Sequence, residues 1–517
     1  MTLRPISNGT QSFENLRRNG FLYVDKTEYV FRLANSATQN AFLARPRRFG
    51  KSLLISTLKC YFEARRELFE GLAIDKLETE WTKYPVLHFD LSKAKYLDEQ
   101  TLLSSLSMQL SEYESVYCNG KPSGSISDRL NTLIRNANIM TGRKVVVLVD
   151  EYDAPLLDVL NDNEKLSDLR NIMRNFYSPL KACNEYLRFV FLAGITKFSQ
   201  MSIFSELNNL QNISMLCDYD AICGITENEM LTQLTEYIDA LAQVGNLTRD
   251  ETVAKLKIMY DGYHFCFPSP DIYNPYSLLN ALSTKKIEPF WFSSGTPTFL
   301  VEMLQKHNVL PQQIGGRECF VQTFDAPTER LTEITPLLYQ SGYLTIKNYD
   351  PEVYLYLLDI PNNEVRIGLF DVLLKNYIGD TLWAQSPIAK FYRTLLRNDM
   401  QGMLEFMQQF LLTIPQCDNT DYEGHYQSMF YLMFSLFGIY MQVEVRTATG
   451  RIDIVMHAQN TVYIIELKLG DTAESAIRQI NEKNYAATYA TGNKQIVKVG
   501  VSFNYKTRTI DDWIIEN

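Results

Sequence analysis

Over the first third of the chain, short unbroken apolar runs at 41–44, 85–91, 145–149 and 188–194 alternate with helical stretches. Strands that read as continuous apolar runs between helices predict a parallel sheet covered on both faces. From about 221 to 395 the texture changes. Asp261-Gly262-Tyr263, Tyr273-Asn274-Pro275-Tyr276 and Ser293-Ser294-Gly295-Thr296 punctuate short helical segments. A mostly helical middle domain is expected there, with a winged-helix-like part. The last hundred residues are more regular. Tyr426, Met429, Phe430, Met433, Phe434, Phe437, Tyr440 and Met441 recur at i, i+3, i+4 and i+7, which predicts one long amphipathic helix. Strands are expected at 442–447, 451–456 and 461–469, then a helix over 472–489 and a final strand at 495–503. Thr449-Gly450 supplies the first turn and 458–460 the second. The order is αβββαβ.

The bulk numbers narrow the function classes. With 517 residues, 46% hydrophobic and 21% charged, the chain has ordinary globular composition and room for about three domains. A net charge of −10 provides no general field to attract nucleic acid, so any such contact must come from a local basic face. Eight cysteines at 60, 118, 183, 217, 223, 266, 319 and 417 form no CxxC pair, and no His stands at ligand spacing to them. A zinc site is therefore not expected, and the pattern fits a reducing compartment. The N-terminal segment lacks a signal-peptide apolar region, and the longest apolar stretch, 430–441, is too short to span a bilayer. The expectation is a soluble cytoplasmic protein without a membrane partner. The oligomeric state stays open.

Phe42-Leu43-Ala44 leads into Arg45-Pro46-Arg47-Arg48-Phe49-Gly50-Lys51-Ser52 and then a helical stretch. A strand, a loop ending in Gly-Lys-Ser and a helix is the context of a phosphate-binding loop, because phosphate oxygens need many short N–H donors at a helix start. Gly50 would let the backbone approach, Lys51 would reach the β- and γ-phosphates, and Ser52 would hold Mg²⁺. Arg45 stands where such loops usually carry Gly. With Arg47 and Arg48 it either clamps phosphate or faces an acidic partner; a solvated basic turn is the plainer reading. The run 145–149 ends in Asp150-Glu151. Asp150 would orient the Mg²⁺ shell and Glu151 polarise the attacking water. Thr196 and Lys197, at the end of the run 188–194, are placed to sense the γ-phosphate, or simply form a strand-end turn. A strand ending at Asp90 lies between the two nucleotide motifs.

A second constellation lies near the C-terminal end. On a strand, Glu466 and Lys468 point one way and Leu467 the other, and a hairpin would set Asp453 beside Glu466. Two close carboxylates suit Mg²⁺ or Mn²⁺, and an adjacent Lys can position a water for attack on a phosphodiester. A solvated Glu–Lys pair is the structural alternative. Glu423 shares the inward face of the preceding helix, and Gln479 and Lys483 are four apart on the following one.

Tyr23-Val24-Asp25-Lys26-Thr27, the 45–52 string, Val149-Asp150-Glu151-Tyr152-Asp153, Gly194-Ile195-Thr196-Lys197-Phe198-Ser199, Tyr260-Asp261-Gly262-Tyr263 and Tyr273-Asn274-Pro275-Tyr276-Ser277 resemble the AAA-ATPase-like family. Arg45 in place of the first Gly is a trait of that family. The C-terminal part is similar to the PD-(D/E)XK nuclease superfamily, with Ile452 in place of the Pro of the motif's name. The resemblance implies ATP binding, Mg²⁺ and a nuclease fold. The expected architecture is α/β, with a P-loop ATPase domain over 1–220, the helical middle over 221–395 and a restriction-endonuclease-like domain over 396–517. The expected function is an ATPase coupled to a metal-dependent nuclease, with ATP and nucleic acid as partners. The alternative is a nucleotide-dependent signalling or binding switch on a silent nuclease fold.

Overall fold

The computed structural model describes residues 3–118, 123–197, 210–294, 303–304, 309, 311–326, 334–378, 394, 397–412, 423–435, 440–447, 449–458, 460–490, 494–504 and 506–517. It divides into two compact units, Met1–Trp291 with Arg317–Asn362, and Phe292–Gly316 with Asn363–Asn517.

The first unit is built on a parallel sheet of β1 (Asn40–Ala44), β2 (Val86–Asp90), β3 (Val145–Asp150), β4 (Leu187–Gly194) and β5 (Leu210–Asn212), in the order β2-β3-β4-β1-β5. Every residue of β3 is buried, as a central strand covered on both faces requires. β4 lies between β1 and β3, so the two nucleotide motifs face each other across one strand. β5 escapes sequence reading because Leu210-Gln211-Asn212 carries no apolar run. The helix Ile126–Thr141 starts at a reciprocal Ser125–Asp128 cap and stops at left-handed Gly142. A buried Arg129–Glu114 ion pair at 2.7 Å ties it to the helix Glu99–Tyr117.

The rest of this unit is mostly helical. Thr226 and Thr248 cap the helices Glu227–Gln233 and Arg249–Tyr260 through capping boxes, and Asn274 caps Pro275–Thr284. These helices, with Thr235–Gly245, bury Leu234, Ile238, Leu256, Tyr260 and Leu278. A two-stranded ladder of β6 (Ile225–Thr226) and β7 (Ile272–Tyr273) joins them. The antiparallel sheet of β8 (Arg317–Cys319), β9 (Thr345–Asp350) and β10 (Leu355–Asp359) completes the unit.

The second unit carries the sheet β11 (Tyr440–Thr447), β12 (Gly450–His457), β13 (Thr461–Leu469), β14 (Gln495–Asn504) and β15 (Thr509–Glu516), paired in chain order. Only β13 and β14 are parallel, linked over the helix Ala473–Glu482. Three details differ from expectation. The long helix is described over Glu423–Ser435, Phe437 lies outside the described residues, and Tyr440 and Met441 begin β11; from Met441 onward Met, Val and Val alternate with polar residues, a strand period. The later helix stops at Glu482 because Asn484 is left-handed, and 485–489 continue as a 3₁₀ turn. Finally, β15 adds a strand after the expected last one. Its consecutive Asp511 and Asp512 are exposed on the sheet edge and mask the alternation.

Gly500 is the parallel-ladder partner of Glu466. A Cβ there would come within 2.5 Å of the Ala473 carbonyl, so the crossover helix rests directly on this strand. Gly500→Ala is expected to destabilise the C-terminal unit by about 2 kcal/mol, as overpacking of a tight contact does. Calorimetry on the full chain reads this as a lower midpoint for that unit's transition.

Candidate functional sites

In the first unit β1 ends at Ala44 and the helix Lys51–Phe62 begins after Gly50, whose φ of 92° requires glycine. Nothing lies within 4 Å of where a Gly50 side chain would stand, so the backbone at the helix start faces open space. Phe49 anchors the loop from beneath, fully buried, with its ring 4.8 Å from Tyr263 and 5.3 Å from Phe265. Arg47 and Arg48 are exposed; the Arg48 guanidinium lies 4.8 Å above the Tyr276 ring.

Arg45 is placed otherwise than the phosphate reading expects. Its guanidinium is buried, donates to the carbonyls of Ala44, Ser214, Tyr219 and Asp220, and stacks 3.9 Å over Phe265. A planar fork satisfies several diverging carbonyls where glycine would leave them bare. Arg45 therefore holds the loop from behind.

Lys51 is buried. Its Nζ donates to the Arg45 and Pro46 carbonyls at 3.1 and 3.2 Å and stands 3.6 Å from Glu151 Oε1. Asp150 meets the Ser52 hydroxyl, and burial raises its pKa to about 6 despite that hydrogen bond and Lys51. Glu151 takes a left-handed φ of 49°, a strained conformation that turns the chain immediately after the strand. Asp90 is the ladder partner of Asp150 and accepts from Ser92.

Thr196 is buried, and its hydroxyl donates to Asp153 Oδ2 at 2.7 Å. The same oxygen accepts the Ile195 and Thr196 backbone N–H groups at 3.0 and 2.6 Å. Asp153 thus closes the ends of β3 and β4 together, and burial raises its pKa to about 6. Lys197 turns to Asp325 at 2.6 Å.

The second unit gathers Asp453, Glu466, Lys468 and Gln479. Asp453 Oδ2 takes the Leu467 N–H at 2.8 Å, and its Oδ1 takes the Gln427 amide at 3.2 Å. Glu466 Oε1 accepts from Gln479 and from Lys468 Nζ at 3.3 Å, while Lys468 also donates to Gln479 Oε1 at 2.8 Å. Glu466 Oε2 is buried with no hydrogen-bond partner among the described residues. Burial first, and Asp453 second, raise the Glu466 pKa to about 7; burial also raises that of Asp453. Lys483 is exposed at the end of its helix, where its carbonyl serves Thr449. Glu423 opens the helix Glu423–Ser435, but its side chain lies outside the described residues. Among the described residues no three His, Cys, Asp or Glu side chains converge as a metal cluster, and no helix is long and apolar enough to cross a membrane.

Residues 7–204 match the family described as "Predicted AAA-ATPase", and residues 421–513 match the PD-(D/E)XK nuclease superfamily. The chain is 33% identical to the "Uncharacterized protein in vnfD 5'region" of Azotobacter chroococcum mcd 1 over 542 residues, covering 100% of both. The chain belongs to the AAA-ATPase-like family. It carries a PD-(D/E)XK nuclease superfamily domain at its C-terminal end. The solved structure of the Aeropyrum pernix ORC1 protein in complex with DNA is 10% identical, with 67% of this chain and 90% of that one covered; its TM-score of 0.24 is too low to bear on function.

Two residues of this AAA-ATPase-like chain escaped sequence reasoning. Gln427 is a polar position inside an apolar helical stripe, one turn after Glu423, and that interruption was its available signal. Asp153 stands in the 149–153 string, but its bracing role needs β4 placed beside it.

Arg45→Met leaves four carbonyls without their donor and is expected to cost about 3 kcal/mol of stability, whereas exposed Arg47→Ala changes it by less than about 0.5 kcal/mol. Thermal melts of the two variants make the comparison. For Glu466 the folded-state pKa of about 7 stands above the ordinary 4.5. The folded chain therefore keeps a proton that the unfolded chain has released between those values, and stability falls as pH rises through that window. Glu466→Gln removes this loss. In chelator it should be more stable than the parent at pH 8 by on the order of 2 kcal/mol and nearly unchanged at pH 4.5.

Proposed function

We propose that this chain is an ATP-regulated nuclease, in which the first unit binds ATP with Mg²⁺ and the second cleaves phosphodiester bonds in nucleic acid using Mg²⁺ or Mn²⁺. The observation that carries this reading is the buried Asp453–Glu466 pair, in which Glu466 Oε2 has no hydrogen-bond partner among the described residues. A buried bare carboxylate oxygen is costly unless a ligand completes it. The donor set is all oxygen, which suits a hard divalent cation that takes one or two carboxylates and fills its shell with water and phosphate. Such an ion supplies charge neutralisation at the phosphate and a more acidic water.

The chain's own residues do the rest. Gln427 and the Leu467 N–H fix the orientation of Asp453. Gln479 holds both Glu466 and Lys468, leaving the lysine ammonium beside the carboxylates, where it orients a nucleophile or steadies phosphate charge. In the first unit, the N–H groups at the start of Lys51–Phe62 and the Lys51 ammonium receive the phosphates. Ser52 and Asp150 hold the Mg²⁺ shell, and Glu151 orients water. Exposed Arg47 and Arg48 reach phosphate oxygens from the loop, while Arg45 and Thr196 act from behind as positioning residues. A cytoplasmic setting supplies both ATP and reduced thiols.

The test incubates the full chain with double-stranded DNA, single-stranded DNA and RNA, in Mg²⁺ or Mn²⁺, with and without ATP. Asp453→Ala and Lys468→Ala should each lower cleavage by at least about 100-fold. Lys51→Ala should weaken ATP binding by about tenfold or more and remove the effect of ATP on cleavage. Absence of cleavage on every substrate, with ATP binding intact, would instead identify a nucleotide-dependent switch on a silent nuclease fold.

A further inference from the structure

Cys217 opens the short turn Cys217–Tyr219 and is the one exposed cysteine among the described residues. Cys266 is buried. Far apart in sequence, the two thiols converge on one acceptor: each Sγ donates to the Pro268 carbonyl at 3.8 Å. They are also near enough to act on each other directly. Burial, and then the Cys217 thiol, push the Cys266 thiol up to about 12. Cys266 therefore rests protonated and shielded from solvent, and a dissolved oxidant meets exposed Cys217 first.

The place of the pair in the fold gives it a consequence. Tyr219 and Asp220, just after Cys217, supply two of the carbonyls that hold Arg45. Phe265, just before Cys266, forms the face on which Arg45 stacks and also packs against Phe49 of the phosphate loop. The two cysteines thus stand on the two segments that bracket the Arg45 guanidinium.

We propose that Cys217 and Cys266 are an oxidation site that takes hydrogen peroxide and closes into a disulfide across the Arg45 anchor. The Cys217 thiolate attacks one peroxide oxygen; the O–O bond breaks, leaving a sulfenic acid on Cys217 and releasing water once the departing hydroxide is protonated. The Cys266 sulfur then displaces hydroxide from the Cys217 sulfur. An S–S bond forms, the Cys266 proton joins the leaving group, and a second water departs. Two thiols lose two electrons and two protons, and one peroxide becomes two waters. A dithiol reductant reverses the link. In a compartment that keeps thiols reduced, such a pair stays open until peroxide rises.

The proposal does not depend on the nucleotide or nuclease readings, and its test measures only the link. Reduced full-length chain is treated with equimolar hydrogen peroxide, blocked with N-ethylmaleimide, digested without reductant and mapped by mass spectrometry. The expected product is a Cys217–Cys266 peptide, removed by dithiothreitol, absent from Cys217→Ser, and roughly tenfold more abundant from the native chain than from the chain in guanidinium, where proximity is lost. Cys266→Ser should instead accumulate a Cys217 sulfenic acid that dimedone traps. The proposal is overturned if Cys217 in the native chain remains free to alkylate, goes on to sulfinic acid without linking, links chiefly to another cysteine, or links to Cys266 no more than it does in guanidinium.

Discussion

The first unit depends on how one buried cation is satisfied. The Arg45 guanidinium ties the end of β1 to the 214–220 segment and to Phe265, and the loop from 46 to 50 is stretched between that knot and the start of its helix. Removing a charge from water is tolerable only when most of its donors are met. Carbonyls and an aromatic face meet them here, with no opposing carboxylate among the described hydrogen-bond partners. The loop can then leave its neighbouring arginines in solvent, because its rigidity comes from beneath: Phe49 packs on Tyr263 and on Phe265, the ring over which Arg45 stacks.

Both sites follow a common electrostatic plan. Asp150, Asp153 and Glu466 are carboxylates whose burial outweighs the hydrogen bonds and cations that would lower their pKa, so all three are raised toward neutrality. Their protein partners differ in a way that separates roles. Asp153 spends its oxygens on two backbone N–H groups and a hydroxyl, which makes it a brace between strand ends. Glu466 keeps one oxygen without a partner among the described residues, which makes it, of these three, the group most able to take a ligand.

Much of this was legible in the chain itself. The central strands were readable because burial on both faces demands continuous apolar runs, and Asp150, Glu151, Asp453 and Glu466 were readable because each stands at a fixed point of such a run. What escaped was decided by partners distant in sequence. Nothing local distinguishes Arg45, bound to carbonyls some 170 residues away, from the exposed Arg47 and Arg48 beside it. Thr196 sits at the expected strand end, yet its hydroxyl is fixed by Asp153 from the neighbouring strand. At the edges, β5 and β15 bury too little to impose a pattern, and the apolar helix stripe extends into β11 because Tyr440 and Met441, which open that strand, are apolar at helical spacing.

Gly500 shows how far the chemistry of the second unit reaches into its scaffold. It sits beside Glu466 on the neighbouring strand, and its missing side chain lets the crossover helix settle low enough for Gln479 to hold both Glu466 and Lys468. Lifting that helix by the thickness of a methyl group would slacken the amide clamp and let the lysine drift, even in a chain that still folds. The alignment of Glu466 with Lys468 is therefore set by a backbone clearance at a position that bears no functional group.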